Sequence, residues 1–380
     1  METSQNRTLK GPLYCPLLEQ MREDNLNNNN TQVNLVVVCI HGIFSSLGIL
    51  ENALIIWVLG FRLRQRTVAS IWMLNLAMSD FLATLTLPLF TFYFYSSHSW
   101  ELGYPLCIVQ TSIFFFNMFV SAFLLAAISL DRLLLVSKPV WSKNHRSVAR
   151  AWKLCALGWG WAALNTLPYS IFRSVIEKAD SRKLCYHHFA LYLSSEDSLE
   201  MDCNVRQGAT AISKFLLAFF FPLVVIAGSY IKIALSLRNR HRRRNLFSQS
   251  FTKMVTSVIA AFVLCWAPYH IFCILEMAAQ YNKKIFKLVQ VGLPVSATFA
   301  FLNPVLNPVL YVFSCPHFCV RIRQSLGAVF DGLVEEDVSF ALPGSPKTSK
   351  SSSYQSPGAE LPLPLLSKGR RDSQTDQTGQ

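Results

Sequence analysis

Asp80 stands alone in the middle of a long apolar run, and Asn52, Asn75, Asn117, Ser121, Asn303 and Asn307 stand well inside other apolar runs. Polar groups taken out of water are costly unless they find partners, so these residues are expected to face one another. A carboxylate in such a place is protonated, paired or bound to a cation, and no lysine or arginine lies at its depth. Two chemistries follow. One is a sodium or proton site made by Asp80, Asn117, Ser121, Asn303 and Asn307; the other is a neutral carboxyl hydrogen-bonded to the asparagines. A second charged feature, Asp131-Arg132, lies at the end of a run, where it can anchor a helix among headgroups and water. A third, Lys214, lies eight residues before Pro222 in an apolar run, about 12 Å along a helix. A lysine so placed either snorkels to the interface or holds an anion. The runs contain no His-Glu-x-x-His pair, no Gly-x-Ser-x-Gly elbow and no paired catalytic carboxylates, so the chemistry is binding and not catalysis.

The elements that must position these groups are seven apolar runs, near 33–60, 68–95, 107–136, 151–171, 208–236, 251–279 and 286–313. About 20 helical residues cross a hydrocarbon core of about 30 Å. Of 380 residues 52% are hydrophobic and 15% charged, and a soluble domain hides one or two such runs, not seven. The expected fold is an all-α membrane protein, a seven-transmembrane helix bundle with an extracellular N-terminus. Pro88, Pro168, Pro222, Pro268 and Pro308 fall in later spans and loosen or kink them. No internal repeat or pair of broken helices marks an inverted-repeat transporter.

Arginines and lysines set the orientation. Arg62, Arg64 and Arg66 follow span one, Lys138, Lys143, Arg146 and Arg150 follow span three, and Arg238, Arg240, Arg242, Arg243 and Arg244 follow span five. The positive-inside rule puts these loops in the cytoplasm. Lys283, Lys284 and Lys287 are an outer exception. The net charge of +13 reads as topology plus local outer charge, not as nucleic-acid binding.

Four segments are expected. Residues 1–32 form a polar outer tail with no apolar signal core, so span one serves as the insertion signal; Asn6 and Asn29 lie there in glycosylation sequons. Residues 33–315 form the bundle. Residues 316–330 read as an amphipathic helix on the inner membrane surface, and 331–380 as a disordered cytoplasmic tail. Of ten cysteines, Cys39, Cys155, Cys265 and Cys273 fall inside spans and are expected as thiols. Cys15, Cys107, Cys185 and Cys203 share the oxidising side, where three pairings remain open. Cys319 is placed for palmitoylation or stays unmodified.

Asn52, Leu76-Ala77-Met78-Ser79-Asp80, Asp131-Arg132, Trp159, Pro222, Tyr230, Cys265-Trp266-Ala267-Pro268 and Asn307-Pro308-Val309-Leu310-Tyr311 resemble, in order and depth, the rhodopsin-like G-protein-coupled receptors. Residues 14–21, 98–103, 127–132, 164–169 and 213–219 are similar to the chemoattractant branch of that family. The resemblance implies that Cys107 pairs with Cys185 and Cys15 with Cys203, stapling the outer tail over a pocket. It implies that Lys214 anchors a ligand carboxylate with Arg173 as a second cation. Asp131, Arg132, Tyr230, Trp266, Asn307, Pro308 and Tyr311 would carry activation and coupling.

The implied ligand is an anionic lipid, prostaglandin D₂ or a related oxidised fatty acid. Such a molecule needs a cation at one end and an apolar wall for the rest. Phe90, Phe94, Phe114, Phe115, Trp266, Tyr269 and Phe301 supply aromatic rings, with Tyr186 and Glu276 at the rim and Gln110 and His187 near the expected pocket; phenylalanine stripes otherwise serve as packing. Gln110 and His187 replace a histidine and a tyrosine of the prostanoid-binding member of the branch, and Leu133 replaces the tyrosine usual after Asp-Arg. The resemblance further implies an inhibitory G protein, arrestin and receptor kinases as partners, with Ser345, Ser349, Ser351, Ser352, Ser353 and Ser356 as phosphate acceptors. No cofactor is expected beyond sodium as an allosteric ion. The alternatives are a formyl-peptide or anaphylatoxin type of receptor, or a scavenger that binds without signalling.

Overall fold

The computed structural model describes residues 13–24, 31–63, 65–193, 197–239 and 245–314. A short helix, α1 (Pro16–Glu23), precedes the bundle. The first two spans are α2 (Thr31–Trp57), which ends in a π turn over Val58–Arg62, and α3 (Val68–Tyr95). Span three is α4 (Gly103–Ser137), followed by the short α5 (Pro139–His145) and span four, α6 (Val148–Ile171). An antiparallel hairpin of β1 (Arg173–Glu177) and β2 (Lys183–His187) leads to span five, built from α7 (Leu199–Phe215), a π turn over Leu216–Phe220 and α8 (Phe221–Asn239). Spans six and seven are α9 (Asn245–Ala279) and α10 (Lys283–Ser314).

Among the described residues six of these helices are long and apolar enough to cross a membrane by length and composition. Span four falls short in apolar character, because tryptophans, glycines, Asn165 and Thr166 occupy much of its 24 residues. It still packs in the bundle: Trp159 donates its indole N–H to Asn75 of α3 at 3.1 Å, and Ala151, Cys155 and Ala162 are buried. Span five begins earlier than its apolar run at 208, since α7 carries nine residues that are mostly polar before it. Cys203 therefore lies in a helix, not in the outer loop.

Local sequence explains the ends. Thr67 caps α3, accepting from the Ser70 amide while Ser70 accepts from Thr67, which satisfies two amides that helices leave open. Ser147 caps α6 in the simpler way. Where spans one and two meet, Gly48 removes the side chain that would obstruct them: a Cβ there would lie 2.4 Å from Thr84 Cγ2. Asn52 pins the same helix to span seven, donating to the carbonyls of Gly48 and Pro304 at 2.9 and 3.0 Å.

The outer surface is tied together by covalent and polar links. Cys107 of α4 is bonded to Cys185 of β2, and Cys15 to Cys203 of α7. Helix α1 buries Leu17 and Met21 against Ala279, Phe286 and Val289, and Leu18 against Ile176, Phe189 and Ala190. The Arg22 carbonyl accepts from the Ala179 amide at 3.0 Å, and Asp24 accepts from Gln290 at 2.9 Å. The four cysteines within spans are free thiols.

Candidate functional site

Under α1 and the hairpin lies a cavity of about 450 Å³. Its walls come from α1, the hairpin and its loop, and every span except the fourth. Span two supplies Phe90 and Phe94, span three Gln110, Phe114 and Phe115, and the hairpin Arg173, Tyr186 and His187. Spans five, six and seven add Lys214, Tyr269, Glu276 and Phe301.

Lys214 is the decisive group. It is 5% exposed, and its Nζ lies 5.1, 5.4 and 5.3 Å from the ring centres of Phe115, Tyr169 and Tyr269. The snorkelling geometry is thus absent. The ammonium is turned inward into a three-ring cage, and among the described residues it has no carboxylate partner. Ring faces attract a cation, yet they replace only part of its lost hydration. Arg173, the first residue of β1, lies 6.0 Å over Tyr186, and its Nε is buried without a hydrogen-bond partner among the described residues. Burial brings Arg173 down to about 10, so it stays charged at neutral pH. His187 is held well below the ordinary imidazole range by burial and by the neighbouring Arg173 and Lys214, and is neutral. Lys178 and Arg182 also border the cavity, Arg182 ion-paired with Asp180, and Glu276 is the one carboxylate in the lining. Cationic residues outnumber carboxylates in its lining.

The remaining wall is aromatic. Phe114 is its hub, with centres 5.1 Å from Phe301, 5.3 Å from Tyr269 and 5.4 Å from Phe115. Phe90 continues the wall to Phe94 at 5.0 Å and Phe301 at 5.9 Å. Trp266 differs from its expected place: it does not border the cavity but lies beneath it, 1% exposed, 5.9 Å from Phe114. Its contacts with the cavity wall run through Phe114 and Tyr269. Tyr93, Met21, Val37 and Val295 border the cavity and were not singled out in the sequence. Nothing in an isolated apolar helix marks which face meets a cavity and which meets lipid.

Deeper in the bundle, Asp80 Oδ1 accepts from Asn117 at 3.0 Å and Ser121 at 3.4 Å, and Oδ2 accepts from Asn307 at 2.8 Å. Asn117 also donates to Ser79 at 3.0 Å. Asn303 makes no hydrogen bond in this cluster: it is buried, and neither atom of its amide has a partner among the described residues. At the inner end, Asp131 is not paired with Arg132. Arg146, just past α5, donates Nε and Nη2 to its two oxygens at 2.8 and 3.0 Å. Adjacent helical residues point in different directions, so the partner comes from another element. Tyr230 packs, partly buried, against the core of the bundle. Asn6, Asn29, Cys319, the 316–330 segment, the tail serines and the side chain of Tyr311 lie outside the described residues.

Seven packed spans, two outer disulfides and a covered cavity define a heptahelical membrane receptor. The chain matches the 7 transmembrane receptor (rhodopsin family) over residues 51–311, and it belongs to that family. It is therefore a multi-pass plasma-membrane receptor and not an enzyme. It is 46% identical to prostaglandin D2 receptor 2 of Mus musculus over 87% of this chain and 86% of that one. The Rattus norvegicus protein of the same name is also 46% identical, over 87% and 81%. The C3a anaphylatoxin chemotactic receptor of Oncorhynchus mykiss is 34% identical over 86% of each.

Proposed function

We propose that this receptor binds an anionic lipid, prostaglandin D₂ or a related oxidised fatty acid, and signals through inhibitory G proteins to lower cyclic AMP and promote chemotaxis. One observation carries the reading: the buried, caged Lys214 ammonium without a carboxylate partner, at one end of an aromatic cavity. A fatty-acid carboxylate supplies the missing charge, and its chain covers the rings. The relatives named prostaglandin D2 receptor 2 support the choice of acid. A chemoattractant peptide fits less well, because α1, pinned by Cys15–Cys203, covers the cavity and puts Met21 in its wall.

The ligand acts by differential affinity for two states of the bundle. Pressure on Phe114 and Tyr269 is passed to Trp266 beneath them, two residues before Pro268, the proline inside α9. An outward swing of α9 would open the inner face, with release of Asp131 from Arg146 and recruitment of Arg132, Tyr230, Asn307, Pro308 and Tyr311. Sodium is assigned as an inhibitory ion at Asp80. Hard cations take oxygen ligands, and the Asp80 carboxylate, the Ser121 hydroxyl and the unpartnered Asn303 amide oxygen fit that need. Receptor kinases and arrestin are assigned to the C-terminal serines.

The test is nucleotide exchange on a purified inhibitory G protein by the membrane-embedded receptor. Prostaglandin D₂ is expected to accelerate exchange. Binding without exchange would leave a scavenger, and exchange driven only by anaphylatoxin or formyl peptides would replace the lipid.

A further inference from the structure

His41 lies in span one, fully buried at 0% exposure, in a position where leucine would be the cheaper choice. Its Nε2 is 2.8 Å from Thr298 Oγ1 of α10. The Thr298 hydroxyl is also 3.3 Å from the Pro294 carbonyl oxygen, which can only accept. The hydroxyl proton therefore goes to Pro294, and His41 Nε2–H donates to Thr298. That assignment leaves Nδ1 as the bare atom, and it has no partner among the described residues. The imidazole lies behind the aromatic wall. Its centre is 5.6 Å from Phe90, stacked at 25°, and 5.3 Å from Phe94, edge-on at 81°. Both phenylalanines border the cavity, as do Val37, one turn before His41, and Pro294, one turn before Thr298.

We infer that His41 and Thr298 form a polar clamp that joins spans one and seven and fixes the Phe90 and Phe94 rings, making them the positioning residues that set which apolar chains fit the far end of the cavity. The inference rests on the proposed reading that a lipid carboxylate sits at Lys214. From the Lys214 cage the rings run through Phe114 and Phe301 to Phe90 and Phe94, so an apolar chain laid along them from Lys214 meets the clamped rings. A hydrogen bond between the buried His41 and the half-buried Thr298 has a defined direction, whereas apolar packing alone would let spans one and seven slide and the rings re-aim.

The experiment is competition binding on the full receptor in lipid nanodiscs, with prostaglandin D₂ and an analogue lacking the last carbons of its methyl-ended chain. Thr298→Val keeps the shape and removes the acceptor; His41→Phe keeps the ring stack and removes the donor. Each is expected to weaken prostaglandin D₂ by about five-fold, the value of one buried hydrogen bond, and to leave the shortened analogue unchanged. The double variant is expected to lose no more than either single one, and Thr298→Ser to restore full affinity. Equal loss for both ligands would mean a merely structural bond, and no change for either would mean no clamp; both outcomes overturn the inference. Lys214→Met run beside them keeps the two readings apart. If it weakens binding about 30-fold while the clamp variants do nothing, the clamp alone fails; if it too is silent, the carboxylate site fails with it.

Discussion

Replacing Lys214 by methionine removes the ammonium and keeps an unbranched apolar stem, so the effects of charge and of volume separate. In the ligand-free receptor the ammonium lies among three rings at 5.1 to 5.4 Å. Each ring face contributes about 0.5–2 kcal/mol, against a cost of several kcal/mol for burying an ion. The two nearly cancel, so Lys214→Met is expected to unfold at the same temperature as the native protein or a few degrees higher. With ligand the balance changes sign. Losing one partner of a buried, hydrogen-bonded charge pair costs about 2–5 kcal/mol, and Arg173 shares the anion here, which favours the lower end. The expected loss is about 30-fold in Kd. Radioligand competition gives the affinity, and a thermal shift with and without prostaglandin D₂ gives the stability; about 2 kcal/mol of ligand-induced stabilisation should vanish at saturating ligand. If the variant binds prostaglandin D₂ normally, or melts well below the native protein without ligand, Lys214 is a structural group and the reasoning is wrong.

Gly48→Ala should lower stability by about 1–3 kcal/mol, because the new methyl meets Thr84, a stiff β-branched residue already bonded to the Asp80 and Phe81 carbonyls; a thermal melt measures it. Cys15→Ser with Cys203→Ser should raise the ligand dissociation rate far more than it changes the association rate, as surface plasmon resonance would record. Asp80→Asn should remove the difference in agonist affinity between sodium and potassium buffers. His187 is depressed below 6.5 by burial and two cations, so the unfolded chain binds its proton first. Stability owed to this group is complete above pH 6.5 and falls as pH drops towards the folded value. The melting temperature should therefore decline from pH 7 to 5, and less steeply in His187→Phe.

Hydrophobic runs carry the membrane spans directly in sequence, because a helix that satisfies its own backbone needs only length and apolar side chains to cross a bilayer. The number and order of spans, the prolines, the charged loops and the isolated Asp80 and Lys214 all follow from that. Motif resemblance added the disulfide pairing, which cysteine spacing left among three choices. Span four was readable as a run although its tryptophans weaken its apolar average. The outward reach of α7 was not, because its first turns obey helix propensity and not hydrophobicity.

Contacts between distant segments were decided by the tertiary structure alone. Sequence showed Asp131 beside Arg132, whereas the fold gives it Arg146, since side chains adjacent on a helix diverge and only another element can reach both carboxylate oxygens. Sequence grouped Trp266 with the ring wall; packing puts it one layer below Phe114. Sequence left Lys214 between snorkelling and anchoring, and its inward turn depends on Phe115, Tyr169 and Tyr269 arriving from three other spans. His41 and Thr298 are separated by 257 positions, and no local pattern relates them. A chain's composition settles which segments leave water, but the partner each buried polar group finds depends on how the helices rotate and cross, and that is a property of the packed bundle.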